Sequence, residues 1–434
     1  MSKSIYEPVI YQLPIQPKNK SILNEKPTII HSKFQSEPMF KLGFNHFAHP
    51  TKEKLSIINK VKLKKELYYV ANEFEASINS YEGDIQNNSL TYFSTNIVSN
   101  NFYSLWEILL YFNLLPNDST NITTVNISDT SGVFTQATMC FRDKFSTKNK
   151  SDQYYCMFES NEDNLTDLED KFIKYYSKEK PKNFILSEDK SILQFTKELI
   201  DQKINAELIT ANGELQWFDK NYQEQESYRL ILNEIISALN LQAKNGNFVC
   251  RFFETFTNIS IKLILILQEF YTNVIICKPL MSRKFESERY VIAIGFKYAK
   301  SNELQSKIDI LEKISNEMNK FELENKFTND IFSEYEIPKD YLSVFKTLNN
   351  TIYCSQFETI NNIDKYIKSD NFMGDEYHKY QEKQILATTY WLKTFYPITK
   401  NDFAKNAKEI QKNAEFIIIK NRKKVEEDIA NIIV

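Results

Sequence analysis

Glycine and proline are scarce, with seven and eleven residues in a chain of 434, which excludes collagen-like and flexible low-complexity designs. Cysteine and histidine are few as well. Cys140, Cys156, Cys250, Cys277 and Cys354 show no short paired spacing, and only four histidines accompany them, so neither a disulfide framework nor a zinc cluster is expected. The first twenty residues lack the apolar core of a signal peptide. The most apolar stretch, Ile259 to Cys277, is interrupted by Lys262, Gln268, Glu269, Thr272 and Asn273, which argues against a bilayer span. Nor is charge of either sign in excess: 54 Lys and Arg oppose 57 Asp and Glu, so a nucleic-acid partner would need a local basic groove. The expectation is a reduced, cytoplasmic protein without membrane or metal.

What is present is a hydrophobic fraction of 42%, enough for a sizeable core. Residues 1 to about 50 read as irregular or extended, and His46 and His49 before Pro50 read as turn packing rather than a metal site. Lys52 to about Ser80 has helical spacing. Asn101 to Leu115 reads as a one-faced helix, and Ile122 to Ser128 as a buried strand. The turn Asp129-Thr-Ser-Gly132 and a helix beginning near Val133 follow. Strand, turn and helix in that order open a nucleotide-binding α/β unit. The alternation continues with strands at Gln153–Phe158, Phe184–Leu186, Glu207–Ala211, Phe248–Phe253, Val274–Cys277 and Tyr290–Phe296. Helices are expected at Ser191–Asp201, Tyr228–Gln242 and Ile259–Tyr271, with a turn at Asn245-Gly246-Asn247. This pattern predicts a mostly parallel sheet covered on both faces. From Ser301 onward only helices are expected.

Three segments in fixed order carry a family resemblance: Leu208-Ile-Thr-Ala-Asn212-Gly213-Glu214, Asn245 to Thr257, and Lys278-Pro-Leu-Met-Ser282-Arg283-Lys284-Phe-Glu-Ser287-Glu288-Arg289-Tyr290. Together they resemble the RrmJ/FtsJ-type ribose 2′-O-methyltransferases, above all the mRNA cap enzymes of large cytoplasmic DNA viruses. The resemblance spans about Asn96 to Lys297. It implies a Rossmann-like class I methyltransferase domain over 86–300, with an N-terminal extension (1–85) and a helical C-terminal region (301–434).

Family enzymes activate the ribose hydroxyl with a Lys-Asp-Lys-Glu tetrad, because a hydroxyl of high pKa needs a base or a cation that stabilises the forming alkoxide. The resemblance places those roles on Ser104, Asn212, Arg251 and Glu288. Only Glu288 keeps the family residue. Asn212 cannot ionise, Arg251 does not release a proton near neutral pH, and Ser104 removes a cation. In the cofactor turn, family Pro-Gly-Gly-Phe is replaced by Ser131-Gly132-Val133-Phe134, and β-branched Val133 resists a left-handed backbone. S-adenosylmethionine contacts are implied for Asp129, Gly132, Phe134 and Asp189, and phosphate contacts for Lys278, Arg283, Lys284 and Arg289. For the last group, a structural role through Arg283 and Glu288 stands as the alternative. The lysine-rich tail, Lys405 to Lys424, reads as a solvated helical face.

Two functions remain open at this point. One is a catalytically degenerate homologue that binds RNA or a protein partner in mRNA capping or transcription. The other is an active cap-ribose methyltransferase with a rearranged site.

Overall fold

In the computed structural model, the described residues are 6–15, 21–40, 54, 72–74, 97, 99–115, 121–129, 132–146, 152–157, 192–213, 215, 218–369, 374–397 and 399–433. The expected Lys52–Ser80 helix, the His46/His49 segment and the Phe184–Leu186 strand fall outside them, apart from isolated positions.

In chain order the elements are β1 (Val9–Gln12), β2 (Ile29–Ser32), α1 (Asn101–Tyr111), β3 (Thr123–Ile127), α2 (Val133–Phe145) and β4 (Gln153–Cys156). Next come α3 (Ile192–Asp201), β5 (Ala206–Ala211), the single-turn α4 (Gln223–Glu226), α5 (Tyr228–Leu241), β6 (Gln242–Phe252) and α6 (Asn258–Phe270). The chain continues with β7 (Tyr271–Lys278), β8 (Arg289–Phe296), α7 (Asn302–Leu323), β9 (Phe327–Ile331), α8 (Lys339–Ser369), α9 (Asp375–Phe395) and α10 (Lys400–Ile433).

Seven strands form one sheet in the order β1-β7-β8-β6-β5-β3-β4, while β2 and β9 make a separate pair. Strand periodicity divides the core in two. In β6, Phe248, Cys250 and Phe252 face the layer containing α5 and α6, and Val249 faces the opposite layer with α1 and α2. In β8, Val291 and Ala293 join the first layer, Tyr290 and Ile292 the second. The flanks pack against this centre. Tyr11 and Leu13 enter one core, while Trp391, Phe395 and Phe403 of the C-terminal helices enter the other.

Three expectations need correction. The sheet is mixed rather than mostly parallel: β4, β3, β5 and β6 pair in parallel, but β6–β8, β7–β8 and β1–β7 are antiparallel. The reason is the connection, since residues 279–288 form a loop rather than the crossover a parallel return requires. A strand does occur after Ser301, because β9 pairs with β2 from Ile29↔Ile331 to Ser32↔Phe327. Its partner lies near the other end of the chain, beyond the reach of local periodicity. Finally, Asn245-Gly246-Asn247 does not end an element but lies inside β6. Asn245 adopts φ 65°, and the register with β5 shifts there. A Cβ on Gly246 would lie 2.9 Å from the Ala243 and Glu207 carbonyl oxygens, so this bulge requires glycine. Among the described residues no helix is long and apolar enough to cross a membrane.

Candidate active site

Open α/β sheets present ligands with the crevice beyond the carboxyl ends of their parallel strands, and three of the four positions expected to form the tetrad lie at that edge. Asn212 follows β5, Arg251 lies one residue from the end of β6, and Glu288 directly precedes β8. Pairing Ala211 with Cys250, and Arg251 with Tyr290, sets these positions side by side. Ser104, on α1, approaches the Tyr290 phenol without closing a well-formed hydrogen bond.

The two charges of this group close on each other. Arg251 Nη2 lies 3.0 Å from Glu288 Oε2, with both side chains buried. Ser282 Oγ donates to Glu288 Oε1 at 2.9 Å, and Lys278 Nζ donates to Ser282 Oγ at 3.2 Å. Lys278 also donates to the Glu286 and Glu288 carbonyl oxygens at 2.8 and 2.9 Å. Burial opposes the charge on Glu288, but Arg251 and Lys278 outweigh it and hold its carboxyl below the usual range. Burial lowers the Lys278 ammonium to about 8.

The four basic residues of this segment divide by depth. Lys278 is buried as described. Arg289 is fully buried and donates to Thr255 Oγ1 at 2.9 Å, Asn349 Oδ1 at 2.8 Å and the Ser287 carbonyl at 3.3 Å. Arg283 and Lys284 keep exposed surface, and pair with Glu286 and Glu73, each at 2.9 Å. Arg283 thus bonds Glu286, and its charge also acts on Glu288.

The cofactor turn is built differently. Gly132 takes the left-handed conformation at φ 69° and precedes α2, while Val133 is the first helical residue. The strain expected from a β-branched residue at that turn is thus avoided. Asp129 Oδ2 accepts from the Phe134 and Thr135 amides at 2.9 and 3.1 Å, satisfying donors that a helix start leaves open. Burial raises the Asp129 carboxyl to about 6, although those amides and the adjacent Asn212 carboxamide work against the rise. Among the described residues, Asp129 Oδ1, Asn212 Oδ1 and Ser128 Oγ are buried without a hydrogen-bond partner. These acceptors suit a donor-bearing group such as an amine, so the residues fit the methionine end of S-adenosylmethionine in chemistry. Phe134 is fully buried, 6.0 Å from the Tyr290 ring. Asp189 lies outside the described residues.

One organising residue was missed by sequence reasoning. Glu107 is fully buried. It accepts from Leu280 N at 2.8 Å, Met281 N at 3.0 Å, Trp391 Nε1 at 2.8 Å and Tyr111 Oη at 3.0 Å. Burial raises its carboxyl to about 7 against those four donors. It thereby ties α1, the loop after β7 and α9 together. A signal existed, since Glu107 is the only charged residue in Asn101–Tyr111. The loop is gripped twice more from the C-terminal side. Phe285 packs with Ile363, Tyr366, Tyr377 and Tyr380, and Gln356 Nε2 donates to its carbonyl at 2.6 Å.

A family model described as FtsJ-like methyltransferase matches residues 167–296, which include Asn212, Arg251 and Glu288. The chain carries an FtsJ-like methyltransferase domain. Over 398 residues it is 24% identical to an uncharacterized protein of Acanthamoeba polyphaga mimivirus, covering 90% of each chain. It is 26% identical over 200 residues to the cap-specific mRNA (nucleoside-2′-O-)-methyltransferase 1 of Dictyostelium discoideum, covering 45% of this chain and 25% of that one. A Caenorhabditis briggsae protein named as an inactive cap-specific mRNA (nucleoside-2′-O-)-methyltransferase 1B is 26% identical over 174 residues, covering 37% and 20%. These two cap-specific relatives are matched over a quarter of their length or less. Ser104 and Asp129 lie outside the family-model match, yet the fold brings Ser104 beside Tyr290 and Asp129 beside Asn212. Among the described residues no group of three or more His, Cys, Asp or Glu is arranged to hold a metal.

Proposed function

We propose that the FtsJ-like domain is a cap-ribose 2′-O-methyltransferase homologue that has lost methyl transfer and retained binding. It serves as an RNA- or protein-binding subunit in mRNA capping or transcription, in the cytoplasm. One observation carries this reading: at the four tetrad positions the only ionisable groups are Arg251 and Glu288, and they neutralise each other at 3.0 Å. Attack by a ribose hydroxyl needs a proton acceptor or an uncommitted cation. Ser104 and Asn212 supply neither, and an arginine does not lose its proton. Lys278 is near, but its three hydrogen bonds point into the loop.

A bound S-adenosylmethionine would supply the electrophilic methyl group. Asp129 Oδ1 and Asn212 Oδ1 would hold its amine. Those free acceptors also favour the second reading, an active enzyme with a rearranged site. Calorimetric titration with S-adenosylmethionine and S-adenosylhomocysteine, paired with methyl transfer to RNA bearing an unmethylated cap ribose, separates the two. Absence of methyl transfer, whether or not the cofactor binds, is the expected result. Turnover on capped RNA would overturn the proposal.

A further inference from the structure

The geometry points to a single-stranded RNA backbone as the ligand of the outward face of α10, a surface remote in sequence from the FtsJ-like site. This inference rests on the RNA-binding form of the function proposed above.

Helix α10 is fixed in rotation by its inner side. Phe403, Ala407, Ile410, Ala414, Ile417 and Val425 are buried. Asn406 Nδ2 donates to the Lys393 and Thr394 carbonyls at 2.7 and 3.1 Å. Asn421 Nδ2 donates to the Ile10 carbonyl at 2.7 Å, and Lys420 pairs with Glu7 at 2.7 Å. The opposite face is therefore held toward solvent. It carries Lys405, Lys408, Lys412, Phe416, Ile419 and Lys423, all exposed. At 100° per residue these six fall within a band about 80° wide, and Lys405 to Lys423 extends about 27 Å along the axis. Phe416 and Ile419 are 59% and 52% exposed. Within the band no acid lies between Lys405 and Lys423, since Glu409 and Glu415 sit just outside its borders. Lys420 is engaged with Glu7, whereas the four lysines of the band form no ion pair with any described residue.

A solvated face accounts for the lysines but not for a phenylalanine and an isoleucine exposed on the same line. A nucleic-acid strand accounts for both. Its phosphates carry one charge per nucleotide, to be met by a row of cations, and its bases stack on exposed aromatic rings. The whole chain has a net charge of −3, so attraction of RNA must come from a local feature of this kind.

The test is fluorescence anisotropy of the full chain with a labelled, uncapped twelve-nucleotide RNA over a range of salt. Two quadruple reversals are compared: Lys405, Lys408, Lys412 and Lys423 to Glu, and, matched in charge, Lys313, Lys320, Lys339 and Lys346 to Glu. Thermal melts check folding, and Lys→Gln versions of the same sets serve if a reversal misfolds. The band variant should lose at least about ten-fold in affinity, with a salt slope shallower by about 3, as loss of four single-strand phosphate contacts requires. The control set should lose about three-fold or less. Phe416→Ala should lose about five-fold or more. Equal losses in both sets, or competition by poly-glutamate as effective as by RNA, would overturn the inference. Capped RNA that binds normally to the band variant overturns this surface and leaves the proposed function standing. Failure of the wild type to bind any RNA removes this surface together with the RNA-binding form of the proposed function.

Discussion

The two ends of the candidate site, both at the carboxyl edge of the same sheet, differ in how far their polar groups are tied to one another. On the loop side, Lys278, Ser282, Glu288 and Arg251 form one continuous chain of contacts, braced behind by Glu107 and Arg289. On the turn side, Asp129 Oδ1, Asn212 Oδ1 and Ser128 Oγ are buried without a hydrogen-bond partner among the described residues. On the loop side Glu288 Oε2 and Arg289 Nη2 also lack a hydrogen bond, but both belong to groups that other contacts already hold. Buried polar groups are normally satisfied, and each that is not calls for an explanation. The loop side has turned its chemistry inward and become scaffold. The turn side retains unmet bonding capacity, which is what a site for a polar ligand requires.

The largest expected effect breaks the loop side at its anchor. Glu107→Ala strands the Trp391, Leu280 and Met281 donors in the core, and should cost on the order of 4 kcal/mol in denaturant-measured stability. A loss below about 1 kcal/mol would show that the C-terminal helices do not depend on this residue. Next comes the ion pair. Arg251→Met leaves Glu288 buried without its main partner and should cost about 3 kcal/mol. Arg251→Lys, which restores the family residue, should cost less, and unequal losses for the two variants distinguish charge from packing.

The two ends should also differ in pH dependence. Asp129, raised to about 6 in the folded chain against about 3.9 unfolded, contributes stability that is complete below about pH 4. That contribution is lost as pH rises through about 6. Glu288 is held low, so its contribution is present above about pH 4.3 and is lost only on further acidification. Denaturation across pH 4 to 7 should therefore show Asp129→Asn becoming more favourable relative to wild type as pH rises, by about 2 kcal/mol within that range, out of about 3 kcal/mol for the whole shift. Glu288→Gln should not reproduce that slope. A flat difference for Asp129→Asn would mean the carboxyl is not protonated in the folded state.

The smallest effects belong to the exposed pairs. Arg283→Ala and Lys284→Ala should each change stability by less than about 1 kcal/mol. A larger loss in either would extend the braced region to the loop surface.

Much of this was readable from the sequence, and the unread parts share a cause. Asn212, Arg251 and Glu288 sit beside motif residues, so their order along the chain placed them. The β3–Gly132–α2 unit was legible because β-branched residues, a turn and a helical pattern are local signals. The β2–β9 pair, the antiparallel return of β8 and the Glu107 contacts were not legible. Each depends on partners remote in sequence, and periodicity carries no information about partners. Depth was equally hidden: Lys278 and Arg289 look like surface cations in the sequence, yet both are buried at the ends of the strands that flank the loop, where Arg289 bonds Asn349 of α8.

By itself, the sequence determined the alternation of strands and helices, the chemistry available at the expected tetrad positions and the absence of the family residue from three of them. Those follow from side-chain identity and local spacing. Only the tertiary structure decided that Arg251 is spent on Glu288, that Asp129 caps α2 with one oxygen and keeps the other free, and which face of α10 looks outward. Each of these is a matter of distance and burial between residues far apart in the chain, and packing alone sets them.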